Sequence, residues 1–207
     1  MNLEIRSLEK YYNRHLIINN FSVKINSGDV IGITGPNGSG KTTLLKMISG
    51  ITSFDKGEIL INNKNINQDI VSNRRFVYYV GHSSGLYKEL TAKENLDFLC
   101  NIYQSTNSNI ENILSRIDFD INNNKLVKFF SEGMLQRLKL AAADLIKPKI
   151  LLLDEPRTSL DHKGIIQLDN LLDHWKQNKI TIIIVSHNKN WLLDTTKHSK
   201  PSQRCFA

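Results

Sequence analysis

One stretch limits what this chain can fold into more than any other: Gly35, Pro36, Asn37, Gly38, Ser39, Gly40, Lys41, Thr42 and Thr43. It carries the spacing G-x-x-x-x-G-K-[ST] and has the flanks that spacing requires. Val30–Thr34 before it is an apolar, β-branched run that reads as a buried strand. Leu44, Leu45 and Ile48 after it fall at helical intervals up to a stop at Gly50. Glycines let the backbone curl so that successive N–H groups point at phosphate oxygens, and the helix aims the positive end of its dipole at the same place. In that geometry Lys41 reaches the β- and γ-phosphates of a nucleotide, and the Thr42 hydroxyl faces Mg2+. The plainer alternative, a glycine-rich turn ahead of a helix, is disfavoured by the flanks.

A second constellation closes the apolar run Ile150–Leu153, which ends abruptly in Asp154, Glu155 and Pro156. Ionised groups at the end of a buried strand need a reason, and in a parallel α/β sheet the carboxyl ends of strands are where ligands bind. Asp154 suits Mg2+ held through water. Glu155 suits accepting a proton from the water that attacks the γ-phosphate. For this pair alone, an acidic turn capping the next helix is the alternative. His187 follows the apolar run Ile180–Val185, where it would hydrogen-bond the γ-phosphate and help orient the water; a lone histidine is otherwise more often structural.

The rest of the pattern predicts an α/β protein. Phe21–Ile25 alternates like a half-buried strand, and Glu58–Ile61 and Phe76–Val80 read as two more. Helical spacing covers Glu94–Tyr103, Met134–Leu145 (ended by Pro148) and Ile165–Trp175. Helices alternating with buried strands at both ends imply a mostly parallel sheet, and the Asn- and Ser-rich middle implies a helical insertion. The expected organisation is one domain: residues 1–84 and 148–197 form the nucleotide-binding core with a β subdomain, 85–147 a helical subdomain, and 198–207 a disordered tail. A length of 207 residues fits one domain with an insertion. No apolar run approaches the ~20 residues needed to cross a bilayer, and the N-terminus lacks the apolar stretch of a signal peptide. The chain is therefore expected at most to dock onto a membrane. Its 27 Lys+Arg against 20 Asp+Glu give a net charge of +7, which favours polyanionic partners, although the basic residues are scattered. Cys100 and Cys205 lie far apart and read as free thiols in a reducing compartment.

These elements resemble the nucleotide-binding domains of ABC transporters over nearly the whole chain. Phe130-Ser-Glu-Gly-Met-Leu-Gln-Arg137 resembles the family's LSGGQ signature and lies just upstream of the Asp154–Glu155 strand; Ser159-Leu160-Asp161 resembles the D-loop. The resemblance implies a P-loop NTPase fold: a mostly parallel core sheet, an antiparallel β subdomain and a helical insertion. It implies ATP hydrolysis with Mg2+ as cofactor. Tyr12 takes the place of the aromatic that stacks on adenine, although it would also pass as a plain core or surface aromatic. Ser131, Gly133 and Asp161 would serve the ATP of a partner subunit, so that two copies of the chain, or this chain and a homologous ATPase, bury two ATP molecules between them. Separate integral membrane subunits would carry the cargo. The implied location is peripheral, on the cytoplasmic face of the bacterial inner membrane or the matrix face of the mitochondrial one.

Two departures stand out. The signature reads Phe130-Ser-Glu-Gly-Met134, keeping Ser131 and the second glycine. Where most members have a Gln after the strand that precedes the insertion, this chain has Tyr79-Val-Gly-His82, which makes His82 a candidate for ATP or for Mg2+ through water. Gly81-His82, Gly85-Leu86 and Glu89–Leu96 resemble the subfamily that exports haem during cytochrome c maturation, which implies a haem-related cargo. No residue looks like a haem ligand, so no direct ligation by this chain is expected. The further strand and closing turn that the family places after the His strand are absent from Asn188–Ala207 as read from sequence. Three alternatives remain: the ATPase of another small ABC exporter, a soluble ABC ATPase acting on DNA or ribosomes, and a non-catalytic partner that binds ATP. The second lacks the coiled coil or the second nucleotide site such proteins carry, so no nucleic acid partner is expected. The third is discouraged by the presence of Lys41, Thr42, Asp154, Glu155 and His187 together.

Overall fold

A computed structural model describes residues 1–68, 75–82, 85–105, 110–119, 124–196 and 204–205. The chain opens with an antiparallel hairpin, β1 (Leu3–Tyr12) and β2 (His15–Ile25). The strand β3 (Val30–Thr34) then runs into the glycine loop and helix α1 (Lys41–Ile48). β4 (Lys56–Ile61) and the short β5 (Lys64–Asn65) complete an antiparallel sheet of order β2-β1-β4-β5. After β6 (Val77–Val80) come helices α2 (Ala92–Tyr103), α3 (Ile110–Arg116) and α4 (Glu132–Ile146). The remainder is β7 (Ile150–Asp154), α5 (His162–Gln177), β8 (Thr181–Val185), α6 (Lys189–Thr196) and a two-residue strand, β9 (Arg204–Cys205). The second sheet has order β6-β7-β8-β3-β9, with every neighbour parallel.

Residue parity along the parallel strands divides the interior in two, as the period-2 geometry of a strand requires. Ile31, Ile33, Val77, Ile150, Leu152, Ile183 and Val185 face α1 and the antiparallel sheet. Val30, Tyr78, Val80, Leu151, Leu153, Ile182 and Ile184 face the other way, into a core shared with α2, α4 and α5. Both faces of β7 and β8 are buried throughout, so these strands read as continuous apolar runs rather than alternating ones. The helices start where capping chemistry allows: Thr91 and Glu94 form a reciprocal capping box at α2, Ser131 accepts from the Met134 N–H at α4 (3.3 Å), and Asp161 accepts from the Gly164 N–H at α5 (2.9 Å). No helix of the described residues is long and apolar enough to cross a membrane.

The C-terminal end departs from the expectation. The sequence predicts no strand beyond His187, yet the backbone of Arg204–Cys205 pairs in parallel with Ile33 and Thr34 at the edge of the sheet. α6 was also unforeseen; its Trp191 and Leu192 seal β3 from one side. Residues 198–203 and 206–207, most of the expected disordered tail, lie outside the described residues.

Candidate functional site

Three parallel strands deliver their carboxyl ends side by side. β3 ends in the glycine loop, β7 in Asp154 and Glu155, and β8 in Ser186 and His187. Main-chain bonds fix the alignment: Asp154 pairs with Val185, the Glu155 N–H donates to the Val185 carbonyl (2.9 Å), and the Ser186 N–H to that of Ile33 (3.3 Å). The cleft so formed has a volume of about 340 Å³. It is lined by Tyr12 from the end of β1, Ile17 of β2, Asn37 through Thr43, Asp154, Glu155, Val185 and His187. Tyr12 is 46% exposed, with the Lys10 ammonium 5.3 Å from its ring centre.

Local geometry explains the residue types. Gly40 caps α1 with a φ of 90°, and a Cβ there would lie 2.9 Å from Ile17 Cγ2, so only glycine lets the loop pass this close to β2. Lys41 is buried, and its ammonium donates to the carbonyls of Gly35 (2.9 Å) and Pro36 (2.7 Å). Ser39 keeps a buried hydroxyl with no partner among the described residues. Glu155 sits in the left-handed region at φ 51°, a strained conformation for a side chain of its size. Its Oε2 accepts a long bond from the Ser186 hydroxyl (3.4 Å). Its Oε1 is buried and lies 3.3 Å from His187 Nε2 but off the hydrogen-bond direction, and among the described residues no well-aligned donor reaches that oxygen. Burial pushes the Glu155 carboxyl above the usual carboxylate range, with His187 pulling partly against it. Asp154 is 5% exposed, and its Oδ2 accepts from the Tyr79 hydroxyl at 2.9 Å.

Thr42 and Asp154 supply a hydroxyl and a carboxylate to one cleft, the kind of oxygen donors Mg2+ uses beside nucleotide phosphates. They fit that ion with few protein ligands. Among the described residues no group of three or more His, Cys, Asp or Glu could hold a metal unaided.

Ser131, Gly133 and Asp161 lie in a second cleft of about 470 Å³, with Arg137 and Ser159. The Arg137 guanidinium bonds Asp161 there, and a Cβ on Gly133 would meet the Ser159 carbonyl at 2.7 Å. The two clefts share no lining residue. His82 lines neither: its side chain is exposed, and its carbonyl lies 3.5 Å from Lys139 Nζ. Lys139 is a further residue the motifs do not reveal. It is 4% exposed, donates to the Gly81 carbonyl at 2.8 Å, and is pulled below the usual lysine range by desolvation. Tyr79, on the strand β6, and Ser186 were likewise hidden; neither belongs to a spacing pattern.

Known proteins match this arrangement. The family model described as ABC transporter matches residues 18–158. The lantibiotic transport ATP-binding protein SrtF of Streptococcus pyogenes is 33% identical over 185 residues, covering 89% of this chain and 80% of that protein. The cytochrome c biogenesis ATP-binding export protein CcmA of Vibrio cholerae is 34% identical over 184 residues, covering 87% of this chain and 89% of that one. Among solved structures, the dimeric ATP-binding cassette MJ0796 in a post-hydrolysis state bound to ADP and Pi superposes with a TM-score of 0.81 at 25% identity, over 94% of this chain and 90% of that one. A P-loop cradle, an acid pair beside it and a signature helix, on a fold shared with these proteins, make this chain a member of the ABC transporter family of ATP-binding domains, and an ATPase.

Proposed function

We propose that the chain drives a membrane transporter as a two-fold pair, each ATP lying between the cradle of one copy and Ser131 and Gly133 of the other. The observation that carries this is the separation of the two clefts. Ser131 and Gly133 begin a helix whose N–H groups and dipole favour an anion, yet they share no cleft with Lys41 and Thr42 of their own chain. Tyr12 stacks on the base, Asn37 through Thr43 hold the phosphates, and Lys41 exchanges its carbonyl partners for phosphate oxygens. The water oxygen attacks the γ-phosphorus while the bond to the β–γ bridging oxygen breaks; the water's proton passes to Glu155, and His187 orients the γ-phosphate. Thr42 and Asp154 would hold Mg2+, which would supply charge neutralisation at the phosphates.

The helical segment 85–147 is the part that would shift against the core and press on separate membrane subunits, with the chain resting on the cytoplasmic (or matrix) face. The finer reading is haem export in cytochrome c maturation. It is supported by Gly81-His82 and Glu89–Leu96 and by the likeness to CcmA, while SrtF, at nearly equal identity, has another cargo in its name. Identifying the membrane proteins that accompany the chain from solubilised membranes decides between them: partners from an unrelated transporter would end the haem assignment.

Mixing two inactive variants tests the shared site. Lys41→Met lacks a cradle and Ser131→Arg lacks a signature, so each alone should be inactive. A mixed pair holds one cradle and one signature that are both intact, facing each other, and should regain ATPase activity. No recovery at concentrations where ATP-bound pairs form would refute the arrangement.

A further inference from the structure

Gly81 has a purpose that its place in a loop does not announce. A Cβ built on it would lie 2.1 Å from the Tyr79 hydroxyl and 2.2 Å from the ring carbon that bears it. The phenol thus folds back over its own strand into the space a side chain at position 81 would take. There it reaches across to β7 and donates to Asp154 Oδ2 at 2.9 Å. Tyr79 is paired in register with Leu152, two residues before Asp154, so the direct line between the two polar groups runs diagonally along one face of the sheet. From the other side, Lys139 of the signature helix holds the Gly81 carbonyl at 2.8 Å, which fixes the loop that leaves this space open.

We propose that Tyr79 is a positioning residue for Asp154: its hydroxyl, admitted by the missing side chain of Gly81, sets which carboxylate oxygen faces the bound Mg2+–ATP. The inference rests on the proposed role of Asp154 in holding Mg2+. A carboxylate has two equivalent oxygens and a broad rotamer about its terminal bond. A donor on Oδ2 removes that freedom and leaves Oδ1 as the unencumbered acceptor. Outer partners of this kind commonly change metal affinity by about 10–100-fold when removed.

The test reads binding rather than turnover. In the full chain carrying Glu155→Gln, the affinity for a fluorescent ATP analogue is measured in EDTA and across a Mg2+ titration. Adding Tyr79→Phe keeps the ring and removes only the donor. It should leave affinity in EDTA unchanged and raise the Mg2+ concentration at half-effect by about tenfold. Gly81→Ala, which displaces the phenol without altering it, should shift the Mg2+ midpoint the same way. Asp154→Asn separates the two levels of the argument. If it moves the midpoint and Tyr79→Phe does not, the positioning role is overturned while Asp154 keeps its assignment. If Asp154→Asn leaves the midpoint in place, the assignment of Asp154 falls, and this inference with it. A Tyr79→Phe variant that loses affinity equally in EDTA would show general damage to the cradle and would also overturn the proposal.

Discussion

Replacing Glu155 by glutamine separates chemistry from binding more cleanly than any other change in the cleft. The amide has the shape of the carboxyl but cannot take the proton of the attacking water. Removing a general base of this kind costs about 10²–10⁴-fold in rate. The geometry predicts little collateral damage. The carboxyl's polar contacts are a 3.4 Å bond from Ser186 to Oε2, the His187 backbone N–H, and the His187 ring 3.3 Å from Oε1, and an amide keeps an oxygen for the donors among them. Burial raises the carboxyl's pKa in the folded chain, so above that value the ionised form is the costlier one in the fold. An uncharged amide lifts this cost, and the variant's Tm at neutral pH should be no lower than the parent's. ATP should still bind and should hold the pair together, since release follows hydrolysis. Steady-state phosphate release, thermal unfolding and size-exclusion in ATP read the three consequences. The parent should also lose kcat on the acid side at a higher pH than an ordinary carboxyl would dictate, because the base form disappears as pH falls through the raised value. A variant that hydrolyses ATP at the parental rate would refute the role assigned to Glu155, whatever its stability.

Two further predictions concern the frame around the site. Trp175→Phe removes the bond from the indole N–H to Asp144, 3.0 Å long and buried, and should cost about 1–3 kcal/mol, seen as a Tm lower by several degrees with ATP binding unchanged. Gly32→Ala forces a Cβ to within 2.6 Å of Leu192 Cγ on α6 and should destabilise by about 1–3 kcal/mol; Leu192→Ala in the same chain should recover part of that loss, and strict additivity in denaturant titrations would contradict the contact.

Much of this was legible because the informative residues are neighbours in sequence. The phosphate loop, the acid pair and the buried strands each carry their signal within a few positions. β1 was missed because its alternation breaks: Ser7 sits at φ 45° and the register with both neighbouring strands shifts there, so Leu3 and Ile5 are out of phase with Leu8. α6 is too short for periodicity to speak, burying only Trp191, Leu192 and Thr195. The Tyr79–Asp154 and Lys139–Gly81 contacts join residues far apart in the chain, and nothing local marks an aromatic on a strand or a lysine on a helix as anything but core and surface. His82 shows the converse: its position suggested a place in the cleft, and its exposed side chain lines neither pocket.

The ammonium of Lys41 already has two oxygens around it, those of Gly35 and Pro36. An arriving phosphate therefore competes with two carbonyl dipoles for the ammonium. Recognition then involves a swap of hydrogen-bond partners at that lysine. The same arrangement works in reverse once inorganic phosphate departs: the lysine has somewhere to return to, which eases release of the product.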